Sequence, residues 1–397
     1  MSDADLTSAS STVPDVGTGP TVVTVTREAL KNALTVAAIG IDGGDDYKLG
    51  THYVFRIVSG AVEVLAASTR VFASAMLEGA TVTGSDVNFT LPGWRLRSWL
   101  DTAKEDTVKF EYANALVKLH SGSRKGNMAS LDASQFPFWD QTLAGAKVTA
   151  TVNAKTLFGG LDYAKRFVST ADTRTPNLCE VECRDGLLHA TDVTAFSLVE
   201  VPGLTGMTIR INGKDVSAVN VFLSIVGDDP VEVLESDKCQ FFRAGTRMVG
   251  VTRWLYPFPA LKNNRDDAPK CAFTVKAQAL RDAIAYVSTF AKKVDTSVYF
   301  SFDDDDALVV SVASASGSNE RDSDVVPCLK TSTMEAFAEA GHKEFKLSSE
   351  HLVEVLSPYG DDADVDVGVF WSKKNGYIRV REVRDGIDYY TVIVWSK

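Results

Sequence analysis

Apolar and polar positions along the chain follow a short pattern that recurs three times. The pattern is Thr-Val, four residues, Leu, three residues, then Leu or Ile, and its copies are TVTREALKNAL (24–34), TVNAKTLFGGL (151–161) and TVKAQALRDAI (274–284). In each copy an extended Thr-Val entry changes to an apolar i, i+4 spacing. This change of period predicts a strand that runs into an amphipathic helix.

A second strand-to-helix pattern follows the first in every copy. Its copies are FTLPGWRLRSWL (89–100), IRINGKDVSAVN (209–220) and FKLSSEHLVEVL (345–356). Each begins with alternating apolar residues and passes a helix-start signal, at Pro92 and Gly93, at Asn212, or at Ser348. Because two patterns recur in the same order three times, the sequence predicts three copies of one unit.

The segments around these helices alternate apolar and polar residues and read as β-hairpins. HYVFRIVSGAVEVLAAS (52–68) has its turn at Ser59 and Gly60, and SVYFSFDDDDALVVSVAS (297–314) has its turn at 303–306. Each copy is therefore β-α-βββ-β-α-βββ over roughly 120 residues, an ordinary domain length. We predict an α+β fold of three similar domains, at 21–142, 146–264 and 270–397, after a disordered leader at 1–20 that is rich in Ser, Thr, Gly, Pro and Asp.

Charge changes the picture only when its distribution is examined. The net charge of −11 by itself argues against a nucleic-acid partner. The six predicted helices, however, contain thirteen basic and seven acidic residues, a net charge of +6 against −17 for the rest. These helices are predicted at 27–38, 92–104, 153–168, 212–226, 276–293 and 348–360. Lys and Arg are good helix formers and can simply decorate exposed faces. If all six helices face one way, their cations instead line one surface that attracts a polyanion through its phosphates.

Residues with the chemistry for catalysis or metal binding are present but are not grouped in the sequence. The five cysteines form no CxxC pair and read as small buried apolar residues in a reducing cytoplasm, and the five histidines have no metal-ligand spacing. No Ser/His/Asp or Cys/His set is placed in order. We therefore expect no enzyme activity, no cofactor and no metal. No apolar stretch reaches the length that crosses a membrane, so we expect no membrane partner either.

The order of these motifs resembles the bacterial-type DNA sliding clamp, the beta subunit of DNA polymerase III, over about residues 21–397. The three strand-to-helix entries contribute most to the resemblance. SLDASQFPFWD (130–140) and VTRWLYPFPAL (251–261) resemble the domain-closing segments of that family, LLHATDVTAFSLV (187–199) its Ala-Thr-Asp strand end, and GIDYYTVIVWSK (386–397) its final strand. The divergence of the motifs suggests a remote or phage-encoded member.

The resemblance implies a fold, an assembly and partners. It implies three clamp domains in each chain, with two chains joined head-to-tail in a six-domain ring around double-stranded DNA, without sequence readout. A replicative DNA polymerase and a clamp loader would bind as short peptides in an apolar cleft between the middle and last domains. The protein would be a homodimeric, non-enzymatic processivity factor of a bacterial cytoplasm, or of an infected host cell.

The predicted sites are two sets of residues. The DNA-facing set is basic and consists of Arg27, Lys31, Lys48, Arg95, Arg97, Lys155, Lys165, Arg166, Lys214, Lys276, Arg281, Lys292 and Lys293. The peptide-cleft set, which the resemblance implies by position, consists of Thr191, Phe196, Leu198, Pro257, Leu261, Thr391, Ile393 and Trp395. We expect the side chains of Ile393 and Trp395 to be exposed to a partner.

Two departures from the family pattern bear on the cleft. Val193, Thr194 and Ala195 follow Ala-Thr-Asp where the family often has Gly-His-Arg, and Trp395 takes the place of a methionine. A cleft lined by Trp should accept fewer peptides than one lined by flexible Met. Two other interpretations stay open from the residues alone: a β-rich structural protein of a virion or assembly, and an unrecognised hydrolase.

Overall fold

The computed structural model describes residues 19–42, 48–171, 174–261, 265–291, 296–303, 305, 307–314, 321–332, 341–372 and 376–395. The predicted leader lies almost entirely outside these residues, as do Lys292 and Lys293 of the DNA-facing set. The chain divides into two compact units, Met1–Phe138 and Trp139–Lys397. The predicted boundary between a middle and a last domain, at 264–270, stays a prediction.

The described residues of the first unit form two helices and two antiparallel sets of strands. Its strands are β1 (Thr21–Thr26), β2 (His52–Val58), β3 (Ala61–Ala67), β4 (Val71–Met76), β5 (Thr81–Thr83), β6 (Val87–Pro92), β7 (Thr107–Ala113), β8 (Leu116–Ser121) and β9 (Arg124–Ala129). Its helices are α1 (Arg27–Ala37) and α2 (Gly93–Thr102), with 3-10 turns at Ala38–Gly40, Lys48–Thr51 and Ala133–Gln135. The strands pair in the orders β5-β1-β7-β8-β9 and β4-β3-β2-β6.

Aromatic side chains form the core of the first unit between its sheets. Phe55 and Phe89 stack with their ring centroids 5.0 Å apart, and Phe110 lies 5.2 Å from Phe55. All three are fully buried, together with Leu30 of α1 and Leu96 of α2. Each helix thus buries its apolar stripe on the sheets, which leaves the polar side of each helix in solvent.

The second unit contains five helices and three sets of strands among the residues described. Its helices are α3 (Asp140–Ala144), α4 (Ala154–Ala164), α5 (Gly213–Val226), α6 (Ala277–Ser288) and α7 (Ser349–Leu356), with 3-10 turns at Lys165–Phe167 and Pro176–Leu178. The strands of its first half are β10 (Lys147–Asn153), β11 (Glu180–Arg184), β12 (Leu187–Thr191), β13 (Ala195–Glu200), β14 (Ile209–Asn212), β15 (Pro230–Glu235), β16 (Cys239–Ala244) and β17 (Arg247–Thr252). Those of its second half are β18 (Cys271–Lys276), β19 (Ser297–Phe302), β20 (Leu308–Ala313), β21 (Arg321–Val326), β22 (Lys330–Ser332), β23 (Phe345–Ser348), β24 (Asp364–Trp371), β25 (Gly376–Arg384) and β26 (Ile387–Trp395).

A continuous sheet of nine strands joins the two halves of the second unit. Its order is β14-β11-β12-β13-β26-β25-β24-β18-β22, and the junction is the antiparallel pair β13 and β26. The other two sets are β10-β15-β16-β17 and β21-β20-β19-β23. Although β26 is the last strand described in the chain, it is an interior strand of the sheet, because it has a neighbour on each side.

The threefold repeat predicted from the sequence is present as a repeated strand arrangement. The strand that enters the first helix of each copy (β1, β10 or β18) pairs with a strand that follows the second helix (β7, β15 or β24). The strand that enters the second helix (β6, β14 or β23) pairs with a strand that follows the first helix (β2, β11 or β19). The α+β prediction is confirmed.

Side-chain caps mark the beginning of four of the six repeat helices, whereas α2 and α6 begin without one. Thr26, Asn153, Asn212 and Ser348 each accept a hydrogen bond from a backbone N–H in the first turn of the helix that follows. Such caps satisfy amide groups that have no partner inside the helix. The predicted helix starts are therefore correct to within one residue.

The helix ends differ from the prediction, and this changes where the positive charge lies. The six repeat helices are shorter than predicted, so Lys104, Lys165, Arg166 and Lys276 flank them instead of belonging to them. Within their observed bounds these helices carry seven basic and seven acidic residues. Of the six basic residues that made up the predicted excess, these four therefore lie at helix ends, and Lys292 and Lys293 lie outside the described residues.

Candidate nucleic-acid interface and peptide cleft

Three basic side chains of the first unit connect α1 to α2. An Arg27 guanidinium N–H donates to the carbonyl oxygen of Ala103 over 2.8 Å, and Lys31 lies 3.5 Å from the Asp101 carboxylate. Arg97 donates to the carbonyl oxygen of Leu34 over 3.4 Å. These predicted DNA-facing residues thus also stabilise the helix pair, because they neutralise carbonyl groups and a carboxylate at helix ends.

Arg95 and Lys48 are placed differently from these three cations. Arg95 is exposed, and its guanidinium carbon lies 5.1 Å from the ring centroid of Trp94, which is also exposed. Lys48 is exposed in the 3-10 turn Lys48–Thr51. Neither side chain has an ion pair among the described residues, so both are available for a phosphate.

In the second unit the basic residues beside α4 and α5 fall into two classes. Lys155 and Lys214 are exposed near the starts of these helices, and Lys155 approaches Asp228 no closer than 3.8 Å. Arg166, after α4, donates to Asp162 over 2.7 Å and to Glu354 of α7 over 2.8 Å. Lys165 lies 2.8 Å from the same Asp162. Lys155 and Lys214 can meet a polyanion directly, whereas Arg166 connects the two halves of the unit.

The basic residues beside α6 bind the protein itself. Arg281 donates to the carbonyl oxygens of Leu356 and Tyr359, each over 3.2 Å, and to Asp361 over 2.8 Å. Lys276 lies 2.6 Å from the Asp364 carboxylate. Arg281 therefore caps the C-terminal end of α7, a position where a cation also opposes the helix dipole.

The eight predicted cleft residues do not form one surface. In the pairing of β13 with β26, Phe196 lies opposite Val392, and Leu198 lies opposite Tyr390. Directly opposed residues project from the same face of a sheet, and the next residue along each strand projects from the other face. Thr391, Ile393 and Trp395 therefore lie on the opposite face from Phe196 and Leu198.

The face that carries Phe196 has an apolar cluster across three strands. Leu198, Tyr390 and Val392 are buried there, and Phe196, Leu261 and Tyr377 pack against them with part of each side chain exposed. We call these six residues the Phe196 cluster. Tyr390, Val392 and Tyr377 lie on this face, whereas the predicted cleft residues Thr391, Ile393 and Trp395 lie on the other face.

The prediction that Ile393 and Trp395 are exposed to a partner is wrong. Ile393 is 1% exposed and Trp395 is 2% exposed. The Trp395 indole lies edge-on to His342 at 5.3 Å between ring centroids, and 6.2 Å from the ring of Phe345. Gly376 is opposite Trp395 in β25, and a Cβ atom there would overlap the indole. Trp395 is thus a core side chain.

Thr391, the third predicted cleft residue on the face of Ile393 and Trp395, also packs inside the protein. Its hydroxyl lies 2.6 Å from the hydroxyl of Tyr163 in α4. Both residues are buried, and burial raises the pKa of the Tyr163 phenol, which therefore stays protonated and able to donate. This contact shows that α4 lies on the Thr391 side of the sheet.

An open depression adjoins the Phe196 cluster. Its volume is about 680 Å³, and Tyr377 lines it while also packing against the cluster. Tyr377 stacks on Phe370 at 4.7 Å between centroids, and Lys270 lies 5.0 Å from the centre of the Trp371 ring at the rim. Aromatic walls are suited to an apolar peptide, and the described part of the lining carries both a cation, Lys270, and a carboxylate, Asp267.

The turn between β12 and β13 borders the cluster and is held by side chains. Asp192 accepts hydrogen bonds from the backbone N–H groups of Thr194 and Ala195, and the Thr191 hydroxyl donates to the carbonyl oxygen of Ala195 over 2.7 Å. Val193 is 67% exposed and has φ of +89°, a conformation that strains a β-branched residue. The glycine that the family often has at this position would adopt it without strain.

A histidine of α7 binds this turn from the other half of the unit. The Nε2 atom of His351 lies 2.7 Å from the Asp192 carboxylate. Burial alone would raise the pKa of Asp192, but the hydrogen bonds from His351 and from the Ala195 N–H outweigh it and lower the pKa to about 2. The hydrogen bond with Asp192 raises the pKa of His351. No local pattern predicts this pair, since the two residues are 159 positions apart in the chain.

Pro257 lies on a loop that is anchored near the same face. The guanidinium of Arg210 donates to the carbonyl oxygen of Tyr256 and, over 2.8 Å, to buried Glu180. Burial raises the pKa of Glu180 to about 7 against the opposing effect of Arg210. The following residue, Phe258, meets the ring of His189, and burial lowers the pKa of His189 to about 4, so this histidine is neutral.

Within the part of the chain that the structure describes, no group of three or more His, Cys, Asp and Glu side chains could hold a metal ion. No described helix is long and apolar enough to cross a membrane. The cysteines are free thiols, and Cys179, Cys183, Cys239 and Cys271 are buried as expected, whereas Cys328 is partly exposed.

Comparison with known proteins then gives a consistent result at the level of structure. No family model and no curated protein matches the sequence. The beta subunit of DNA polymerase III from Thermotoga maritima is 16% identical with a TM-score of 0.77, covering 95% of this chain and 99% of that chain. The sliding clamp from Bacillus subtilis is 15% identical with a TM-score of 0.78 over the same shares, and that from C. crescentus is 16% identical with 0.78 over 96% and 100%. The chain has the fold of the bacterial DNA sliding clamp.

This clamp fold confirms the resemblance inferred from the sequence motifs, although few residues are identical. Sequence reasoning found Phe196, Leu198 and Leu261 of the apolar cluster but missed Tyr377, Tyr390 and Val392. The signal that could have found Tyr390 and Val392 is the alternation of the last strand, read from its pairing with β13. Tyr377 has no such signal, because its place in the cluster depends on the neighbouring strand β25.

Proposed function

We propose that this protein is a DNA sliding clamp, a non-enzymatic processivity factor that encircles duplex DNA and tethers a replicative polymerase. The observation that carries the proposal is the near-complete match to bacterial clamps, at TM-scores of 0.77–0.78 over 95–96% of this chain. The internal threefold repeat supports it, because a ring of repeated domains needs equivalent units.

The proposed assembly is a head-to-tail homodimer of three-domain chains. Among the described strands, β9 ends a sheet of the first unit, and β21 ends a sheet of the second unit. A terminal strand offers unpaired backbone groups to another strand. Pairing of β9 in one copy with β21 in another would close a ring of two chains.

The proposed DNA contacts are few and made by exposed cations. Lys48, Arg95, Lys155 and Lys214 are exposed. Lys155 lies 3.8 Å from Asp228, and Arg27, Lys165, Arg166, Lys276 and Arg281 bind carboxylates or carbonyl groups of the protein over shorter distances. Phosphate contacts carry no sequence information, and a small number of them permits movement along the duplex. Closure of the ring, and not affinity, would retain the protein on DNA.

The proposed partner site is the Phe196 cluster with the adjoining depression. A polymerase or clamp loader would insert apolar side chains of a short peptide between Phe196, Leu261 and Tyr377, with an acidic residue near Lys270. The part-buried aromatic residues support this use, and Lys270 is the cation among the described lining residues that would meet the acidic residue.

The assembly is tested by native mass spectrometry and by negative-stain electron microscopy. We expect a species of twice 42.9 kDa and particles with a central hole. Protein diluted until the dimer dissociates, and then concentrated with nicked circular plasmid, should co-elute with the plasmid and be released when the plasmid is linearised. A monomer at micromolar concentration, or equal retention on both DNA forms, would contradict the proposal and favour a structural role for the repeats.

The partner site is tested with a peptide selected by phage display against the wild-type protein. Phe196→Ala should lower the affinity for this peptide about tenfold or more in calorimetry, because removal of a central aromatic contact costs about 2 kcal/mol. Val383→Ala is the matched control, since Val383 is 65% exposed and outside the cluster. Equal affinity of the Phe196→Ala variant and the wild type would place the peptide elsewhere.

A further inference from the structure

The N-terminal end of α2 presents an aromatic ring to solvent. Trp94 is 67% exposed, whereas Leu96 and Leu100, the apolar residues that follow it in the helix, are 0% and 2% exposed. The apolar stripe of α2 is therefore complete without Trp94. Burial of Trp94 is not needed for the fold, and the indole face is free to meet a ligand.

A cation is already stacked on this ring. The Arg95 guanidinium carbon lies 5.1 Å from the Trp94 ring centroid, within the range of a cation–π interaction. The other cations of the helix pair are used within the protein, since Arg27 and Arg97 donate to backbone carbonyls and Lys31 pairs with Asp101. Among the described residues, Arg95 has no carboxylate partner.

A second cation is close to the same helix end. The backbone of Gly93 lies so near Thr51 that a Cβ atom added to Gly93 would be 3.1 Å from the Thr51 carbonyl oxygen. Thr51 ends the 3-10 turn that begins with exposed Lys48. The turn that carries Lys48 therefore packs against Gly93, the residue that precedes Trp94.

We propose that Trp94 and Arg95 form a stacking site for an unpaired base of single-stranded DNA, with Arg95 and Lys48 contacting the flanking phosphates. An indole face stacks on any base whose own face is open, so such a site is tolerant of sequence. Inside a duplex both faces of each base are covered by neighbouring bases. The site therefore selects single strands, such as the template beyond a primer end, over continuous duplex.

Charge favours this occupant over an apolar protein segment. A protein segment that covered Trp94 would leave Arg95 and Lys48 desolvated without an anion, which is costly. A nucleotide supplies a flat π face and a phosphate together, so it satisfies the ring and the cations at once.

The site is tested by fluorescence anisotropy with a labelled twelve-nucleotide oligo-dT and with a labelled twelve-base-pair duplex. Trp94→Ala should weaken oligo-dT binding about five- to fiftyfold, because stacking of one base contributes about 1–3 kcal/mol. Trp94→Phe should restore part of the loss, and duplex binding should change less than twofold. Val221→Ala is the control, since Val221 is 50% exposed on α5.

A second measurement locates the contact directly. An oligonucleotide with one 5-iododeoxyuridine should photocrosslink to Trp94 in the wild type, as mapped by peptide mass spectrometry. In the Trp94→Phe variant, where stacking is weaker, the yield of this crosslink should fall, and any crosslink that remains should map to the same helix end. Unchanged oligo-dT affinity in Trp94→Ala, an equal loss of duplex affinity, or crosslinks confined to other peptides would overturn the proposal. An unchanged melting temperature shows that the variants are folded.

These assays are independent of ring closure, because short linear oligonucleotides slide off any ring. Loss of plasmid retention in the wild type would contradict the clamp proposal and leave the stacking site intact. Conversely, full plasmid retention together with an unchanged oligo-dT affinity of the Trp94→Ala variant would contradict the stacking site alone.

Discussion

Neighbouring side chains of the last strand have different environments, because they leave opposite faces of the nine-stranded sheet. Tyr390 and Val392 join the Phe196 cluster, while Thr391 meets Tyr163 of α4 and Trp395 packs on Phe345. Val394, one residue before Trp395, is 45% exposed and lines the depression. A substitution at Val394 should therefore change the surface, and one at Trp395 should change the core.

Truncation of Trp395 should reduce stability. Trp395→Ala removes a side chain that is 2% exposed, and such a large-to-small change costs about 3–5 kcal/mol through lost burial and the cavity that remains. Thermal unfolding should show a clear fall in melting temperature, while Val394→Ala should change it little. A variant with wild-type stability and weaker peptide binding would show that the indole belongs to the cleft after all.

The pair of Asp192 and His351 should make stability depend on pH. Because the pKa of Asp192 is lowered to about 2, its contribution is present above its ordinary pKa and is lost as the pH falls from about 4 toward 2. Because the pKa of His351 is raised, its contribution is complete below about 6.5 and is lost as the pH rises through the raised value. The pair should stabilise most between about pH 4 and 6.5.

His351→Gln tests this dependence, because glutamine can accept or donate a hydrogen bond but cannot become charged. The melting temperature of the wild type should fall between pH 6 and pH 8, and the variant should lose that fall. Parallel pH profiles for the two proteins would mean that His351 is neutral throughout.

At the scale of elements, the ends of the helices decide which cations remain available for DNA. Arg281 shows this clearly, since its two bonds to the carbonyl oxygens of Leu356 and Tyr359 end α7. Arg27 does the same for α2 through Ala103. Basic residues in a repeated helix pair are thus partly structural, and a count of charges overestimates the surface that a polyanion meets.

Arg281→Ala should destabilise the second unit by about 1–3 kcal/mol, because charged hydrogen bonds to buried or partly buried acceptors are lost. Thermal unfolding should show a lower melting temperature, and Asp282→Ala, a change at the exposed neighbouring residue, should not. If Arg281→Ala instead lowered DNA affinity at unchanged stability, Arg281 would be a DNA-facing residue as first predicted.

For the whole molecule, binding to duplex DNA should depend on exposed lysines and on salt. The chain has a net charge of −11, so attraction to DNA requires a local excess of cations. Lys155 and Lys214 are exposed at the starts of two helices in the same unit. Lys155 also pairs with Asp228 at 3.8 Å, but both side chains are exposed, so loss of this pair costs little. Replacement of Lys165 or Arg166 would instead break shorter ion pairs with part-buried Asp162.

The double variant Lys155→Gln, Lys214→Gln should lower duplex affinity and reduce the slope of log K against log salt by about 1–2, since each lost phosphate contact removes about 0.9 from the slope. The control is Lys109→Gln with Lys147→Gln, which makes the same charge change at exposed positions on β7 and β10. Equal slopes for both double variants would show that the attraction is not local to the helices.

Much of the fold could be predicted from the sequence because its signals are local. The Thr-Val entries, the apolar i, i+4 spacings and the caps at Asn153, Asn212 and Ser348 act within a few residues of the helices that they start. The same signals repeat three times, so each copy supports the others. Helix ends were less accurate: no comparable signal in the sequence stops α6 where it ends, and the stop signal of α7, Pro358 two residues after its end, was not used.

The local periodicity of the sequence was therefore enough for the strands, the helix starts and the threefold repeat. The face on which each cleft residue lies required the pairing of β13 with β26, two strands almost two hundred positions apart in the printed sequence. A shift of one residue in that pairing exchanges Val392 for Ile393 and Val394 for Trp395 on the cluster face, because side chains alternate along a strand. Likewise, the bonds of Arg281 to Leu356 and Tyr359 and of Asp192 to His351 depend on distant segments of the folded chain. Local periodicity does not predict ion pairs and caps of this kind.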